Sequence, residues 1–128
     1  MALILIVDDD ENFRSFLETG LIEMGHTVII AENGIAGIDA AKAQAPHIII
    51  SDIMMPLMDG VEFNMHLQMD PRTKDIPVLM LTGDVNKHME VSQHYVMELH
   101  FEYIVGKTAS LERIMGIVKE MLAKYYQL

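Results

Sequence analysis

Five short apolar segments alternate with longer segments of helical spacing, and this alternation restricts the possible folds more than any other feature. The apolar segments are Leu3–Val7, Thr27–Ala31, His47–Ser51, Pro77–Leu81 and Tyr103–Val105. Most of them are continuous runs of Ile, Val and Leu without polar alternation, which is typical of parallel strands buried on both faces. The alternation of such strands with helices predicts an α/β fold.

The segments between the apolar runs carry the spacing and the boundary residues of helices. Between the first two runs, apolar residues recur at i, i+3 and i+4 intervals, which gives one apolar face. Acidic residues favour a helix start through the helix dipole, Ser and Asn cap the first turn, and Gly often ends a helix. The expected boundaries are Asp10 or Glu11 to Gly25 for the first helix, Asn33 to just before Pro46 for the next, and a start near Thr108 or Ser110 for the last.

Five repeats of the strand–helix unit predict a flavodoxin-like (βα)5 sandwich of three layers. Its sheet would have five parallel strands joined by right-handed crossovers. The strand order 2-1-3-4-5 is the natural one for a chain of 128 residues. A chain of this length is also about one domain long.

Charge and composition exclude several classes of function. The chain has 9 Lys and Arg against 19 Asp and Glu, and a net charge of −10 disfavours nucleic acid binding because phosphate neutralisation needs clustered cations. It has no cysteine, which excludes disulfides and thiol catalysis and fits a reducing cytoplasm. No stretch approaches the roughly 20 apolar residues of a membrane helix. We therefore expect a cytoplasmic protein that binds neither nucleic acid nor membranes.

Charged and polar residues follow the predicted strands at the points where the strands end. Asp8 and Asp9 follow the first strand, Asp52 follows the third, Thr82 follows the fourth, and Lys107 comes just past the fifth. Ligands of such sheets bind beyond the carboxyl ends of the strands. Because the first and third strands are neighbours in the expected order, their three acids should converge.

A cluster of three acids needs a compensating charge. Carboxylates within about 5 Å repel each other by about 3 kcal/mol per pair at an effective dielectric of about 20. A divalent cation with oxygen ligands offsets this repulsion, and Mg²⁺ suits a few carboxylates together with waters and a phosphate. The alternative is that Asp9, Asp10 and Asp52 only cap the helix or turn that follows them. The acids after the first strand exclude dinucleotide and flavin sites, because they would repel the phosphates.

Three segments resemble the strongest signatures of response-regulator receiver domains: LILIVDDDE, IIISDIMMPLMDG and VLMLTGD. The second segment is highly specific, because an Asp follows an Ile-rich strand and Met-Pro and Asp-Gly come at fixed offsets. The resemblance spans the whole chain. It implies a single, stand-alone CheY-like receiver domain over residues 1–128, without an output domain.

The resemblance implies how a phosphoryl group would be accepted. Asp52 would be the phosphoacceptor, taking the group from a phosphohistidine or a small phosphodonor to form an acyl phosphate. Asp8 and Asp9 would hold Mg²⁺ together with one Asp52 oxygen and the backbone carbonyl of Met54. The metal would offset charge on the transferring phosphoryl group.

The resemblance also implies how the pocket contacts the phosphoryl group. Thr82 would donate its hydroxyl to a phosphoryl oxygen, and Gly83 beside it would leave the approach open. Pro56 and Gly60 would shape the loop after the phosphoacceptor, with Gly60 supplying a backbone conformation that is costly for other residues.

One departure from the family pattern concerns the phosphoryl-contacting lysine. The family places this lysine directly after the fifth strand, usually before a proline. Here Gly106 stands at the lysine position and Lys107 at the proline position. Either the loop bulges so that Lys107 still points inward, or Lys107 faces away and the pocket has lost its cation. We favour the first, because Mg²⁺ alone would balance an arriving phosphoryl group poorly.

Tyr103 is the expected switch aromatic. By resemblance, Thr82 would move toward the phosphoryl group and Tyr103 would turn inward to fill the space. The face built from the fourth helix of the family fold, strand five and the last helix would then change its partner affinity. The alternative is an edge-strand tyrosine that packs without switching.

The sequence therefore predicts a phosphoacceptor switch of a two-component phosphorelay. Its partners would be a sensor histidine kinase or a histidine phosphotransfer protein, and a separate downstream effector. It would be a monomer or a dimer modulated by phosphorylation, with only self-phosphorylation and slow self-dephosphorylation as its chemistry. The alternative is a pseudo-receiver that no longer depends on phosphate, motivated by the displaced Lys107. A hydrolase is disfavoured, because Met54 stands where such enzymes usually need a second acid.

Overall fold

Five parallel strands form one sheet in the computed structural model, which describes residues 1–83 and 103–128. The strand order is β2-β1-β3-β4-β5, so the predicted flavodoxin-like topology is confirmed. The strands are β1 (Leu3–Val7), β2 (Thr27–Ala31), β3 (Ile48–Asp52), β4 (Val78–Thr82) and β5 (Tyr103–Gly106).

Helices cover both faces of the sheet. The described helices are α1 (Glu11–Glu23), α2 (Gly34–Gln44), α3 (Gly60–Gln68) and α4 (Leu111–Tyr126). One core cluster lies between the sheet and helices α1 and α4, and a second lies between the sheet and helices α2 and α3. The helix expected between β4 and β5 would fall within residues 84–102, which lie outside the described residues. Within the described ranges, no helix combines the length and the apolar character needed to cross a bilayer.

Side chains at the helix ends explain the boundaries. Asp10, Asn33 and Ser110 each accept a hydrogen bond from a backbone N–H in the first turn of the helix that follows. Such caps satisfy donors that the helix itself leaves unpaired. At the other end of α1, Gly25 takes a φ of +88°, a conformation that favours glycine. The boundaries predicted for these helices are therefore confirmed.

The ends of three strands lie one residue later than the sequence indicates. In β3, Asp52 still pairs with Leu81, and in β4, Thr82 still pairs with Gly106. Asp52 and Thr82 are therefore the last residues of their strands rather than the first residues of the loops. The reason is that ladder hydrogen bonds continue to the strand tips, where the backbone N–H of Ile53 donates to the carbonyl of Leu81 at 2.9 Å.

Candidate functional site

The three predicted acids meet at the carboxyl edge of the sheet. Asp8, Asp9 and Asp52 each offer a carboxylate oxygen, and these oxygens all lie within 4.8 Å of one another. Asp8 and Asp52 are buried, with 1% and 5% of their surface exposed, whereas Asp9 lies exposed at the rim. The convergence follows from the pairing of β1 with β3, which places Val7 opposite Ser51 and brings the next residues of both strands to the same edge.

Backbone hydrogen bonds hold the buried acids in place. Asp8 Oδ1 accepts the N–H of Asp10 at 2.9 Å. The carbonyl of Asp8 accepts a hydrogen bond from the Arg14 guanidinium at 2.8 Å. On the neighbouring strand, Asp52 Oδ1 accepts the N–H of Met54 at 3.3 Å. The carboxylates therefore have defined directions, and their Oδ2 atoms face Lys107.

Lys107 reaches the acid cluster from the turn after β5. Its ammonium lies 2.8 Å from Asp8 Oδ2 and 3.1 Å from Asp52 Oδ2, and 19% of its side chain is exposed. The β4–β5 register runs unbroken to the pair of Thr82 and Gly106, so the strand ladder contains no bulge. The Lys107 N–H then donates to the Thr82 carbonyl at 2.8 Å. The long side chain spans the displacement that Gly106 introduces.

Burial and the charges of the cluster shift two pKa values. Burial, with a further contribution from the Asp8 charge, raises the pKa of Asp52, although Lys107 acts in the opposite direction. Burial alone would lower the pKa of Lys107, but the nearby Asp8 and Asp52 carboxylates outweigh it and raise that pKa. The protonated lysine is thus held between two carboxylates.

The donor set fits a divalent cation. Asp8, Asp9 and Asp52 bring three carboxylates. Among the described residues, Lys107 is the one ammonium in contact with this set, through Asp8 and Asp52, and an excess of two negative charges remains. Carboxylate oxygens are the ligands that Mg²⁺ prefers. Asp10, by contrast, caps α1: its side chain accepts the N–H groups of Asn12 and Phe13.

Thr82 and Gly83, at the carboxyl end of β4, border the same edge. Thr82 is completely buried at the last position of its strand. At Gly83, an added Cβ would meet no described atom within 4 Å, so the described part of the chain leaves this side of the pocket open.

Met54 and Tyr103 occupy different surroundings. The Met54 side chain points largely into solvent, with 60% of the residue exposed, and its backbone N–H is the group that contacts Asp52. Tyr103 begins β5, is half-buried, and packs against the core between the sheet and helices α1 and α4. The Lys124 ammonium lies 6.0 Å from its ring centroid.

The expectation that Gly60 supplies an unusual backbone conformation is wrong. Its φ does not lie in the left-handed region; within the described chain the glycine that does so is Gly25. Glycine is needed at position 60 because a Cβ there would lie 2.5 Å from the Asp52 carbonyl oxygen and 2.8 Å from the Ile53 Cα. The start of α3 thus packs directly on the backbone of the residue that carries the central carboxylate.

Two residues outside the predicted set of site residues contact the site. The Arg14 guanidinium donates a hydrogen bond to the Asp8 carbonyl, and the Phe13 ring centroid lies 4.5 Å from the Lys107 ammonium. The sequence position of Arg14 could have indicated its role, because a cation near a helix N-terminus is unfavourable unless it has a local partner. The position of Phe13 gave no such indication, since its helical spacing is that of a core residue.

The sequence of the chain is similar to receiver domains over most of its length. A model of the response regulator receiver domain matches residues 4–119. Protein PilH of Pseudomonas aeruginosa is 39% identical over 82 residues, which are 64% of this chain and 68% of that protein. The transcriptional regulatory protein AfsQ1 of Streptomyces coelicolor is 34% identical over 83 residues, 65% of this chain. The chain spans about a third of the length of several such relatives, 36% in the case of AfsQ1.

Solved structures show the same fold. The chemotaxis protein CheY4 of Vibrio cholerae superposes with a TM-score of 0.87 at 27% identity, covering 95% of this chain and 99% of that one. The receiver domain of a signal transduction histidine kinase from Syntrophus aciditrophicus superposes with a TM-score of 0.87 at 26% identity. That match covers 100% of this chain and 95% of the other.

Proposed function

Because this chain belongs to the response regulator receiver domain family of two-component signalling, we propose that it is a phosphoacceptor switch in which Asp52 carries the phosphoryl group. The observation that supports the proposal most strongly is the cluster at the sheet edge. Two buried acids and one exposed acid lie within 4.8 Å of one another, and a lysine ammonium contacts both buried carboxylates. A purely structural role would not require three acids so close together.

In the proposed reaction, an Asp52 carboxylate oxygen attacks phosphorus. With a phosphohistidine donor, the P–N bond breaks, the imidazole leaves with the bonding electron pair, and a new P–O bond gives an acyl phosphate. With acetyl phosphate, acetate is the leaving group. Burial and the Asp8 charge raise the pKa of Asp52, which makes its ionised carboxylate a stronger base and a better nucleophile.

Asp8, Asp9, Asp52 and the backbone carbonyl of Met54 would hold Mg²⁺. When bound, the metal neutralises charge that develops on the transferring phosphoryl group. Lys107 would move its ammonium from the Asp52 carboxylate to a phosphoryl oxygen, a short step because it already lies 3.1 Å from Asp52 Oδ2.

The buried hydroxyl of Thr82 would donate to a second phosphoryl oxygen, and Gly83 would leave the approach to the pocket clear. Tyr103 would respond to the Thr82 movement and alter the face that includes β5 and α4. The fourth helix of the family fold, the remaining part of that face, would fall in residues 84–102, which lie outside the described residues.

The proposed partners follow from the proposed chemistry. A sensor histidine kinase or a histidine phosphotransfer protein would supply the phosphoryl group, and a separate effector protein would read the altered face. The proposal includes a cytoplasmic location, a single receiver domain over residues 1–128, and a monomer or a dimer modulated by phosphorylation. It includes neither a nucleic acid site nor turnover of a substrate beyond slow loss of the phosphoryl group.

Intact mass spectrometry tests the proposal. The purified chain is incubated with acetyl phosphate or phosphoramidate, with and without Mg²⁺, and a gain of about 80 Da is expected for one phosphoryl group. The gain should require Mg²⁺ and disappear in Asp52→Asn. The exposed Asp39→Asn is the matched control and should be phosphorylated like the unchanged chain, because Asp39 lies on α2 away from the cluster. A folded wild-type chain that stays unmodified would refute the proposal and favour the pseudo-receiver alternative.

A further inference from the structure

The Lys107 ammonium contacts an aromatic ring as well as two carboxylates. It lies 4.5 Å from the centroid of the Phe13 ring. This is well inside the distance of about 6 Å within which a cation is attracted to a ring face. Phe13 belongs to the first turn of α1, directly after the acidic turn that follows β1. The ammonium therefore contacts Asp8, Asp52 and Phe13 together.

Phe13 is held in place through its backbone and its side chain. Its N–H donates to Asp10 Oδ1 at 3.3 Å, and the Asp10 N–H in turn donates to Asp8 Oδ1 at 2.9 Å. Its side chain packs against the core cluster between the sheet and helices α1 and α4. Its ring centroid also lies 5.6 Å from that of Phe16. The ring position is therefore coupled to the turn that carries Asp8.

A fixed Phe13 ring affects the position of the Lys107 ammonium, because the backbone of Lys107 lies outside β5. Gly106 ends β5, so Lys107 belongs to the turn and reaches the pocket through a flexible four-carbon stem. Holding such a side chain in one conformation costs rotamer entropy. The carboxylates attract the ammonium, and the face of the ring limits the side from which it can approach them.

We propose that Phe13 is the positioning residue of Lys107, holding its ammonium over the Asp8 and Asp52 carboxylates. Phe13 thereby compensates for the displacement of the lysine by one position. The position of the ammonium is a property of the folded chain alone. Its consequence for phosphoryl transfer rests on the proposed function of Asp52.

Nuclear magnetic resonance of the metal-free protein tests the position. Ring current from Phe13 should move the ε-methylene protons of Lys107 upfield of those of the exposed Lys74. The displacement should be lost in Phe13→Leu and kept in Phe13→Tyr, which retains a ring. It should also be kept in Ile22→Leu, a substitution at an exposed position near the other end of the same helix. An unchanged Lys107 signal in folded Phe13→Leu would overturn the proposal.

The rate of phosphorylation by acetyl phosphate at saturating Mg²⁺ tests the consequence. Phe13→Leu should slow the reaction about fivefold, as expected for the loss of one partly desolvated cation–π contact. Phe13→Tyr should restore the rate, and Phe13→Leu should have no further effect in a Lys107→Met background. Equal slowing in both backgrounds would show that Phe13 acts without Lys107 and would overturn the proposal. If the unchanged chain takes no phosphoryl group while the Lys107 signal behaves as expected, the proposed function fails and the positioning role stands.

Discussion

Replacement of Lys107 by methionine should lower the free energy of unfolding of the metal-free protein by about 3 kcal/mol. The ammonium lies 2.8 Å and 3.1 Å from two carboxylate oxygens whose residues are almost completely buried. At an effective dielectric of about 20, each of these contacts amounts to about 5 to 6 kcal/mol before desolvation is subtracted. Without the ammonium, Asp8 and Asp52 would be left as adjacent, buried and uncompensated charges.

The expected value is at the lower end of the range for a broken buried pair, about 3 to 5 kcal/mol. Two features of the site reduce the loss. Lys107 keeps 19% of its side chain exposed, so water reaches the cluster. The raised pKa of Asp52 also means that this carboxyl takes up a proton more readily than an ordinary aspartate when the ammonium is removed.

Urea unfolding followed by circular dichroism at pH 7, with a chelator present, measures the effect. In thermal unfolding, a loss of about 3 kcal/mol would appear as a fall in Tm of about 10 °C for a chain of this size. Lys74→Met is the matched control, because it changes the net charge by the same amount as Lys107→Met. The Lys74 side chain is exposed and has no ion pair or hydrogen bond within residues 1–83 and 103–128. Added Mg²⁺ should recover more stability in Lys107→Met than in the unchanged chain, because the metal and the ammonium neutralise the same oxygens. Equal stabilities of Lys107→Met and Lys74→Met would refute the reasoning.

Two further changes test the neighbouring backbone and the titration of the central acid. Gly60→Ala should destabilise the fold by about 1 to 3 kcal/mol, because the added Cβ would lie 2.5 Å from the Asp52 carbonyl oxygen. The control Gly116→Ala lies on an exposed stretch of α4 with no described atom within 4 Å, and it should stabilise the fold by about 0.5 to 1 kcal/mol. Urea unfolding that shifts the stability of both variants in the same direction would contradict this prediction. Folding raises the pKa of Asp52 above its ordinary 3.8. The contribution of Asp52 to the free energy of unfolding is therefore most favourable below pH 3.8, and it is lost as pH rises through the raised pKa. Asp52→Asn should therefore be more stable than the unchanged metal-free chain at pH 7 by more than about 0.5 kcal/mol, and a difference that persists undiminished at pH 3 would count against this cause.

The architecture and the acid cluster could be predicted from the sequence because both depend on short-range patterns. Continuous apolar runs identify buried parallel strands, and the expected strand order brings β1 next to β3. The convergence of Asp8 and Asp52 then follows from chain topology without any knowledge of side-chain conformation. The caps Asp10, Asn33 and Ser110 are equally local, since each satisfies a donor two or three residues away.

Other features depended on distances that only the tertiary structure determines. Whether Lys107 reaches Asp8 and Asp52 could not be read from the sequence, because a displacement of one residue is offset by a side chain several ångströms long whose direction depends on the turn after β5. Phe13 has the spacing of a core residue, and its contact with Lys107 joins elements at opposite ends of the chain. Gly60 is required by the close approach of α3 to the Asp52 backbone and not by its own φ. The sequence by itself determined which charges gather at the edge of the sheet, because strand order is a property of the chain pattern. The tertiary structure decided how those charges are paired, because pairing depends on packing distances between segments remote in sequence.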